Sequence, residues 1–299
     1  MIYTVTFNPA VDYVVHTDGF GADGIARAKK ESIFFGGKGI NVSRVLHELG
    51  VPSVAMGFAA GFTGAAIEQG LREAGLDTRF IHLDSGFSRI NVKIKADRET
   101  ELNGRGPEID KRHLDMLLES IDTLEDGDTI VLAGSIPAGV DADIYERILM
   151  RLKGRDIRTA VDASGQLLLN VLPCRPWLIK PNDAELAALF GRESITPEEA
   201  AGYAAKLQEK GARNVLVSMA EKGALLLDEQ GGVHRAAAHR GTPVNSAGAG
   251  DSMLAGFIAG ISRGYDHALR LGTAAGGATA FSEGLASRED IERLMGIRS

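Results

Sequence analysis

The stretch Asn245-Ser246-Ala247-Gly248-Ala249-Gly250-Asp251-Ser252 has the composition of an anion-handling turn. Behind it, Met253, Leu254, Phe257, Ile258 and Ile261 recur at helical spacing, so the small residues Gly248, Ala249 and Gly250 form the entry to a helix. Such an entry offers unpaired backbone N–H groups and the positive end of the helix dipole to a phosphate. Asp251 follows at once, which sets a proton-accepting carboxylate beside the place where a phosphoryl group would be held. A carboxylate in a first helical turn also suits the dipole without any further role. That explains Asp251, but not the small residues before it.

A second glycine turn, Phe35-Gly36-Gly37-Lys38-Gly39-Ile40-Asn41, runs into a helix whose apolar face is Val42, Val45, Leu46 and Leu49. Gly36 and Gly37 let a ligand touch backbone, while Lys38 and Asn41 supply donors. Taken alone, this segment is also compatible with a flexible loop and a solvated lysine. Two familiar nucleotide signals fail. Gly134-Ser135-Ile136-Pro137-Ala138-Gly139 has P-loop glycine spacing, but Val140 stands where a lysine is needed. Gly19, Gly21 and Gly24 match G-x-G-x-x-G but open no helix.

The elements that must position these turns alternate between short β-branched runs and helical periodicity. Strands are expected at 2–7, 54–58, 129–132, 158–161, 177–179, 214–217 and 224–227. Helices are expected at 40–49, 65–73, 111–121, 142–152, 183–189, 197–209, 252–262 and 266–282. This alternation predicts an α/β fold with a mainly parallel central sheet flanked by helices. Residues 11–16 with 29–35, and 89–95 with 100–103, break the rhythm as strands without intervening helices. Arg89–Lys95 alternates polar with apolar, the pattern of a half-exposed antiparallel strand. We therefore expect one domain over 1–299, with a small β-sheet lid inserted from about 11–36 and 87–105.

Composition narrows the classes. The 299 residues are 44% hydrophobic and 24% charged, with 37 glycines, a globular composition rich in tight turns. Cys174 is the single cysteine, so no intrachain disulfide or cysteine-rich metal site can form. The net charge of −7 argues against nucleic-acid binding, yet a few local cations can still capture an anion. The start MIYTVTFNPAVD reads as a strand rather than a signal peptide, and no apolar run has membrane-spanning length. A cytoplasmic protein without nucleic-acid or membrane partners is expected. The seven histidines form no ligand cluster. Trp177 reads as core, while Lys111-Arg112-His113 and the group Arg151, Lys153, Arg155 and Arg158 read as solvated surface.

The two glycine turns together are similar to the signatures of the ribokinase-like carbohydrate kinases, the phosphofructokinase B family. The chain resembles that family also at Asn8-Pro9-Ala10-Val11-Asp12, Ser88-Arg89-Ile90-Asn91-Val92-Lys93, Gly134 to Gly139 and Lys180-Pro181-Asn182-Asp183-Ala184-Glu185. These blocks occur in family order over nearly the whole chain. The resemblance implies a ribokinase-like three-layer fold, ATP and Mg²⁺, room for a monovalent cation, and a homodimer joined through the lid. It implies Asp251 as catalytic base with Gly248, Ala249 and Gly250 as its anion hole. Sugar-phosphate contacts would come from Asp12, Gly37, Lys38, Asn41, Arg89 and Ser135. Lys93, four positions after Arg89, joins this set because the two share a strand face. ATP contacts would come from Lys180, Asn182, Ser218, Ala220, Gly223, Gly248 and Gly250, and Asn182 and Glu185 would reach the metal through water. The sequence departs from the family pattern at Ala220, where a glycine is usual, and at Asn245-Ser246-Ala247.

Within the family, the block from Ser88 to Ile94 is most like that of enzymes phosphorylating fructose 1-phosphate at its 6-hydroxyl. Kinases of tagatose 6-phosphate or fructose 6-phosphate are the alternatives. An inactive sugar-phosphate-binding regulator on the same fold is a third reading, against which the retained Asp251, Asn182 and Glu185 argue.

Overall fold

The computed structural model describes residues 1–297 apart from 22, 23 and 138, so Ala138 of the Gly134-to-Gly139 block lies outside the described residues. The chain opens with β1 (Ile2–Thr6), β2 (Ala10–His16) and β3 (Lys30–Gly36). α1 (Lys38–Glu48), β4 (Ser53–Ala60), α2 (Gly61–Glu73) and β5 (Asp77–Leu83) follow, then β6 (Arg89–Lys95) and β7 (Glu99–Asn103). The next part is α3 (Lys111–Asp122), β8 (Thr129–Ala133), α4 (Ile144–Arg151), β9 (Arg158–Asp162), α5 (Gly165–Val171) and β10 (Leu178–Ile179). It continues through α6 (Asp183–Leu189), α7 (Pro197–Glu209), β11 (Asn214–Ser218), β12 (Ala224–Leu227) and β13 (Val233–Ala236). α8 (Ala249–Gly260), α9 (Tyr265–Ala280) and α10 (Arg288–Leu294) complete it.

The large sheet has the order β13-β12-β11-β10-β9-β8-β1-β4-β5 and is parallel from β5 to β11. Its central strands are apolar on both faces, as strands covered on both sides must be. β8 shows the division. Ile130 and Leu132 join the core beneath α3, α4, α5, α6 and α7, while Val131 and Ala133 join the core beneath α1, α8 and α9. Trp177 is buried in this second core, as its place before an apolar strand predicts.

The small sheet has the order β3-β2-β6-β7. Here the expectation for residues 89–95 needs correction: β6 pairs antiparallel with β7 but parallel with β2. The chain passes through the body between β2 and β6, and such a crossover brings the second strand back in the same direction. Register puts Asp12, Phe34 and Asn91 on one face and Tyr13, Ile33, Val92 and Leu102 on the other. At its root, Val11, Phe35 and Ile90 pack on Ile40, Ile67 and Leu71 of the body.

Several elements escaped the sequence reading. β5, β13, α5 and α10 are short or edge elements whose polar positions blur the periodicity. α1, α2 and α8 begin two to four residues earlier than expected, because glycines in a first turn cost little where the N–H groups are unpaired anyway. His113 is not solvated but buried: its ring Nδ1 donates to the N-cap carboxylate of Asp110 at 2.8 Å, as does its backbone N–H at 2.9 Å. No helix among the described residues is long and apolar enough to cross a membrane.

Candidate active site

Because β1, β8, β9, β10 and β11 run parallel, their C-terminal ends lie along one edge of the large sheet, where α/β sheets bind ligands. α1 and α8 both begin at that edge through glycine. Gly37 precedes α1 at φ 134°, and a Cβ there would lie 2.5 Å from Thr6 Cγ2. Gly248 precedes α8 at φ 81°, in the left-handed region that glycine tolerates, with Leu285 closing the space above it. The two helices meet through their side chains: Asn41 Nδ2 donates to Asp251 Oδ2 at 2.8 Å. Asp251 is buried, and the Lys180 ammonium lies 3.1 Å from where a Cβ on Gly250 would stand.

Asp162, at the end of β9, completes the cluster. Its carboxylate is buried between two ammonium groups, Lys38 Nζ at 3.5 Å and Lys180 Nζ at 3.4 Å, yet neither oxygen accepts a hydrogen bond. Sequence reasoning missed this residue. Its signal was a carboxylate ending the apolar strand Thr159-Ala160-Val161. Burial, followed by the charge of Asp162, pushes the Asp251 carboxyl up to about 6, against the Asn41 hydrogen bond and the charges of Lys180 and Lys38. Burial works to lower the Lys38 ammonium, but Asp162, Asp251 and Glu185 together raise it.

As the proton acceptor that the sequence leads one to expect, a carboxyl raised in this way would give kcat/KM an acid limb near pH 6. Asp162→Asn removes a repelling charge, so the limb should move to lower pH relative to the unsubstituted protein. Comparing the two profiles on one substrate cancels the substrate's own ionisation. An unmoved limb would separate Asp162 from the titration of Asp251.

A cavity of about 410 Å³ opens beside Gly37 and Lys38, lined also by Asn8, Arg89, Ser135 and Ser164. Arg89 Nε is buried there without a partner, and burial lowers the guanidinium pKa against the opposing charge of Asp12. Asp12 is fixed by Asn91 Nδ2 at 2.7 Å. Asn8, also missed, donates to the Arg105 carbonyl at 3.0 Å and ties the returning chain to the end of β1. Lys93 shares the strand face of Arg89 but stands about 13 Å further along. It pairs with Glu101 at 3.6 Å and lines a separate cleft of about 550 Å³, beneath the small sheet, with Asp12, Asn41 and Gly248. The structure thus parts Lys93 from the Arg89 cavity.

On the other flank, Asn182 and Glu185 form a reciprocal cap on α6. Asn182 Oδ1 accepts the Glu185 N–H at 2.7 Å, and Glu185 Oε2 accepts the Asn182 N–H at 2.9 Å. The other Glu185 oxygen and the orphan oxygens of Asp162 are hard donors suited to Mg²⁺. No group of three or more His, Cys, Asp or Glu forms a metal cage among the described residues, so phosphate and water oxygens would complete the shell. Ser218 pairs with Asn182 across an isolated bridge, and the turn after it carries Ala220 and Gly223.

Ala220 has φ 47°, the left-handed conformation that explains why a glycine is usual there. That conformation costs an alanine roughly 1–2 kcal/mol, while a glycine loses about 0.4–1 kcal/mol to its freer unfolded chain. Ala220→Gly should therefore gain roughly 0.5 kcal/mol in urea unfolding. A clear loss would mean that the methyl group packs more favourably than the backbone strain costs.

Residues 5–291 match the pfkB family of carbohydrate kinases. The chain is 47% identical to the 1-phosphofructokinase of Bacillus subtilis (strain 168), over 99% of this chain and 97% of that protein. It is 39% identical to the D-tagatose-1-phosphate kinase of Bacillus licheniformis, over 98% of this chain and 96% of that protein. Phosphofructokinase-2 from Escherichia coli, solved in complex with potassium, superimposes with a TM-score of 0.91 at 27% identity, over 99% of this chain and 98% of that one.

Proposed function

The chain belongs to the pfkB family of carbohydrate kinases, and from that premise we propose that it transfers the γ-phosphoryl group of ATP to the 6-hydroxyl of fructose 1-phosphate. The products are fructose 1,6-bisphosphate and ADP. One observation carries this reading: the buried carboxylate of Asp251, held by Asn41, stands at the open start of α8 within a cluster that also holds Lys38 and Lys180.

Phosphoryl transfer needs in-line placement, charge stabilisation and a base for the attacking hydroxyl. Asp251 accepts the hydroxyl proton, and Asn41 fixes which way its carboxylate points. The backbone N–H groups at Gly248 and Gly250 meet the charge on the phosphoryl group, with Lys180 beside them, while the Ala249 N–H is taken by the Ser246 carbonyl at 3.2 Å. Arg89, with Lys38 and Ser135, takes the phosphate already on the sugar, and Asp12 orients a sugar hydroxyl. Magnesium, when bound near Asn182, Glu185 and Asp162, supplies charge neutralisation on the ATP phosphates. Ser218, Ala220 and Gly223 border the nucleotide. Ser88 anchors the start of β6 through Ala60 and Thr63, so the small sheet can act as a lid that excludes water.

The outer face of that lid supports a homodimer. Ile33 is 60% exposed and Leu102 70% exposed, in the row that also holds Tyr13 and Val92. Light scattering at working concentration should return a dimer mass. The single cysteine fits the cytoplasm and the charge of −7 disfavours nucleic acid, while Lys38, Lys180 and Arg89 supply the local cations that a small anionic substrate needs.

The likeness to a tagatose-1-phosphate kinase makes tagatose 1-phosphate the second reading. Coupled ADP release on fructose 1-phosphate, tagatose 1-phosphate, tagatose 6-phosphate, fructose 6-phosphate and free fructose tests the assignment. The highest kcat/KM should fall on fructose 1-phosphate, and no turnover of any sugar phosphate would end the kinase reading.

A further inference from the structure

Two bare oxygens converge in the cleft beneath the small sheet, which Asp12, Gly36 and Asn41 line together. A Cβ on Gly36 would lie 3.5 Å from Asp12 Oδ2 and 3.6 Å from Asn41 Oδ1, so both oxygens face one small space. Among the described residues, neither oxygen accepts a hydrogen bond, and the other end of each side chain is engaged. Asn41 Nδ2 donates to Asp251 at 2.8 Å, and Asp12 Oδ1 accepts from Asn91 Nδ2 at 2.7 Å. An oxygen in this state accepts from a hydroxyl but repels a phosphate dianion, which brings no donor. The sugar's phosphate therefore belongs with Arg89, whose Nε is unpartnered, and its hydroxyls with Asp12 and Asn41.

Asn91 is what aims Asp12. It is 7% exposed and stands opposite Asp12 in the β2–β6 register. Its Oδ1 accepts the Gly104 N–H at 3.2 Å, a donor shared with the Ile90 carbonyl at 3.1 Å. A backbone N–H on one side and a carboxylate on the other fix the orientation of the amide. Gly104 itself is pressed on β6, since a Cβ there would lie 2.5 Å from the Ile90 carbonyl oxygen. Backbone, amide and carboxylate thus form one chain of contacts, and among the described residues Asp12 accepts from no other side chain.

We propose that Asn91 is a positioning residue for sugar recognition. By holding Asp12 Oδ1, it points Asp12 Oδ2, beside Asn41 Oδ1, at the ring hydroxyls, and so sets the preference between sugar 1-phosphates that differ in the hand of one hydroxyl. Without the amide, the Asp12 carboxylate can turn about its side-chain bonds and meet a hydroxyl of either hand. A site that fixes the direction of its acceptors discriminates strongly, and one whose acceptors turn does not. The inference rests on the kinase reading for its choice of sugars.

A cross-strand bond also stiffens the lid, and that alone would weaken every sugar phosphate alike. The test separates the two roles. Fructose 1-phosphate and tagatose 1-phosphate, which differ in the hand of one ring hydroxyl, would be compared by coupled ADP release and by calorimetric binding without ATP. The proteins are the unsubstituted chain, Asn91→Leu, Asn91→Ala, Asp12→Ala and the double variant Asn91→Ala with Asp12→Ala. Leucine matches asparagine in size, and the Gly104 N–H keeps the Ile90 carbonyl as partner. Should Asn91→Leu fail to fold, Asn91→Ala decides in its place.

Asn91→Leu should raise the KM for fructose 1-phosphate about tenfold, the scale of one misdirected contact to a charged group, with the KM for ATP within about twofold. The kcat/KM preference for fructose 1-phosphate over tagatose 1-phosphate should fall about fivefold or more, and the ratio of the two dissociation constants should follow. On the Asp12→Ala background, Asn91→Ala should change that preference by less than about twofold, because Asn91 acts through Asp12. An equal loss on both sugars would overturn the inference, as would an Asn91 effect of the same size with and without Asp12, or an unsubstituted protein with no preference. If no sugar phosphate is turned over, the kinase reading fails, and the binding preference still decides the role of Asn91. Absence of binding to both sugars would overturn both readings.

Discussion

Asp251→Asn is expected to lower kcat by about 10²–10⁴ while the KM for ATP hardly moves. The substitution preserves size, and the amide oxygen can still accept from Asn41, whose Nδ2 reaches Asp251 Oδ2 at 2.8 Å. What is lost is the ability to take the hydroxyl proton. Stability should change in the opposite sense to activity. The folded protein holds the Asp251 proton to about pH 6, above the ordinary carboxylate value, so unfolding releases that proton more readily. Stability then falls as pH rises from about 4 to 6, and stays lower above that range. Asparagine carries no such charge. The variant should therefore melt higher than the unsubstituted protein at pH 8, with the gain vanishing near pH 4. A variant with near-normal kcat would remove Asp251 from the mechanism, and one that melts lower at pH 8 would contradict the raised carboxyl.

Arg89→Ala is expected to raise the KM for the sugar phosphate by about 10- to 150-fold, the equivalent of roughly 1.5–3 kcal/mol for a charge-assisted hydrogen bond. Arg89 already bears the cost of burial, and its Nε lacks a partner in the cavity beside Gly37, Lys38 and Ser135. An arriving phosphate would supply that partner through two parallel hydrogen bonds, which a lysine cannot reproduce. Arg89→Lys should thus recover only part of the loss. The KM for ATP should stay, because the nucleotide flank lies beyond Asp251. Preference for fructose 1-phosphate over free fructose should collapse. Equal losses on both sugars would show that Arg89 shapes the lid and does not read the phosphate.

Much of the site was readable along the chain because its parts are local. A run of small residues followed by apolar helical spacing marks a helix entered through bare N–H groups, whatever surrounds it. The helix starts held for Gly248 to Asp251 and for Gly36 to Asn41, whose helices begin at Ala249 and Lys38, but the Ala249 N–H is taken by the Ser246 carbonyl and the Ile40 N–H by Thr6 Oγ1. The glycine expected at position 220 found its reason in the backbone, since Ala220 adopts a positive φ. The parallel sheet was readable too, because strands buried on both faces must be apolar throughout.

What escaped depends on register between distant segments. Strand alternation told that Arg89 and Lys93 share a face, but not that one enters a buried cavity while the other pairs with Glu101 over the cleft beneath the small sheet. Nothing in the local sequence around residues 89–95 says that β6 will pair parallel with β2, since that direction is set by the crossover between them. Asp162 looks like any carboxylate ending a strand until the order β10-β9-β8-β1 brings Lys180 and Lys38 to either side of it.

By itself, then, the amino-acid sequence determined the helix entries, the carboxylate in the first turn of α8 and the family, because each is written in residues close together in the chain. Only the tertiary structure decided the electrostatics of that carboxylate. Asn41 and Asp251 lie 210 positions apart, and the shared edge of a parallel sheet is what puts their helices tip to tip. Burial there removes the water that would screen Asp162 from Asp251, so a carboxylate of ordinary acidity becomes one poised near neutrality.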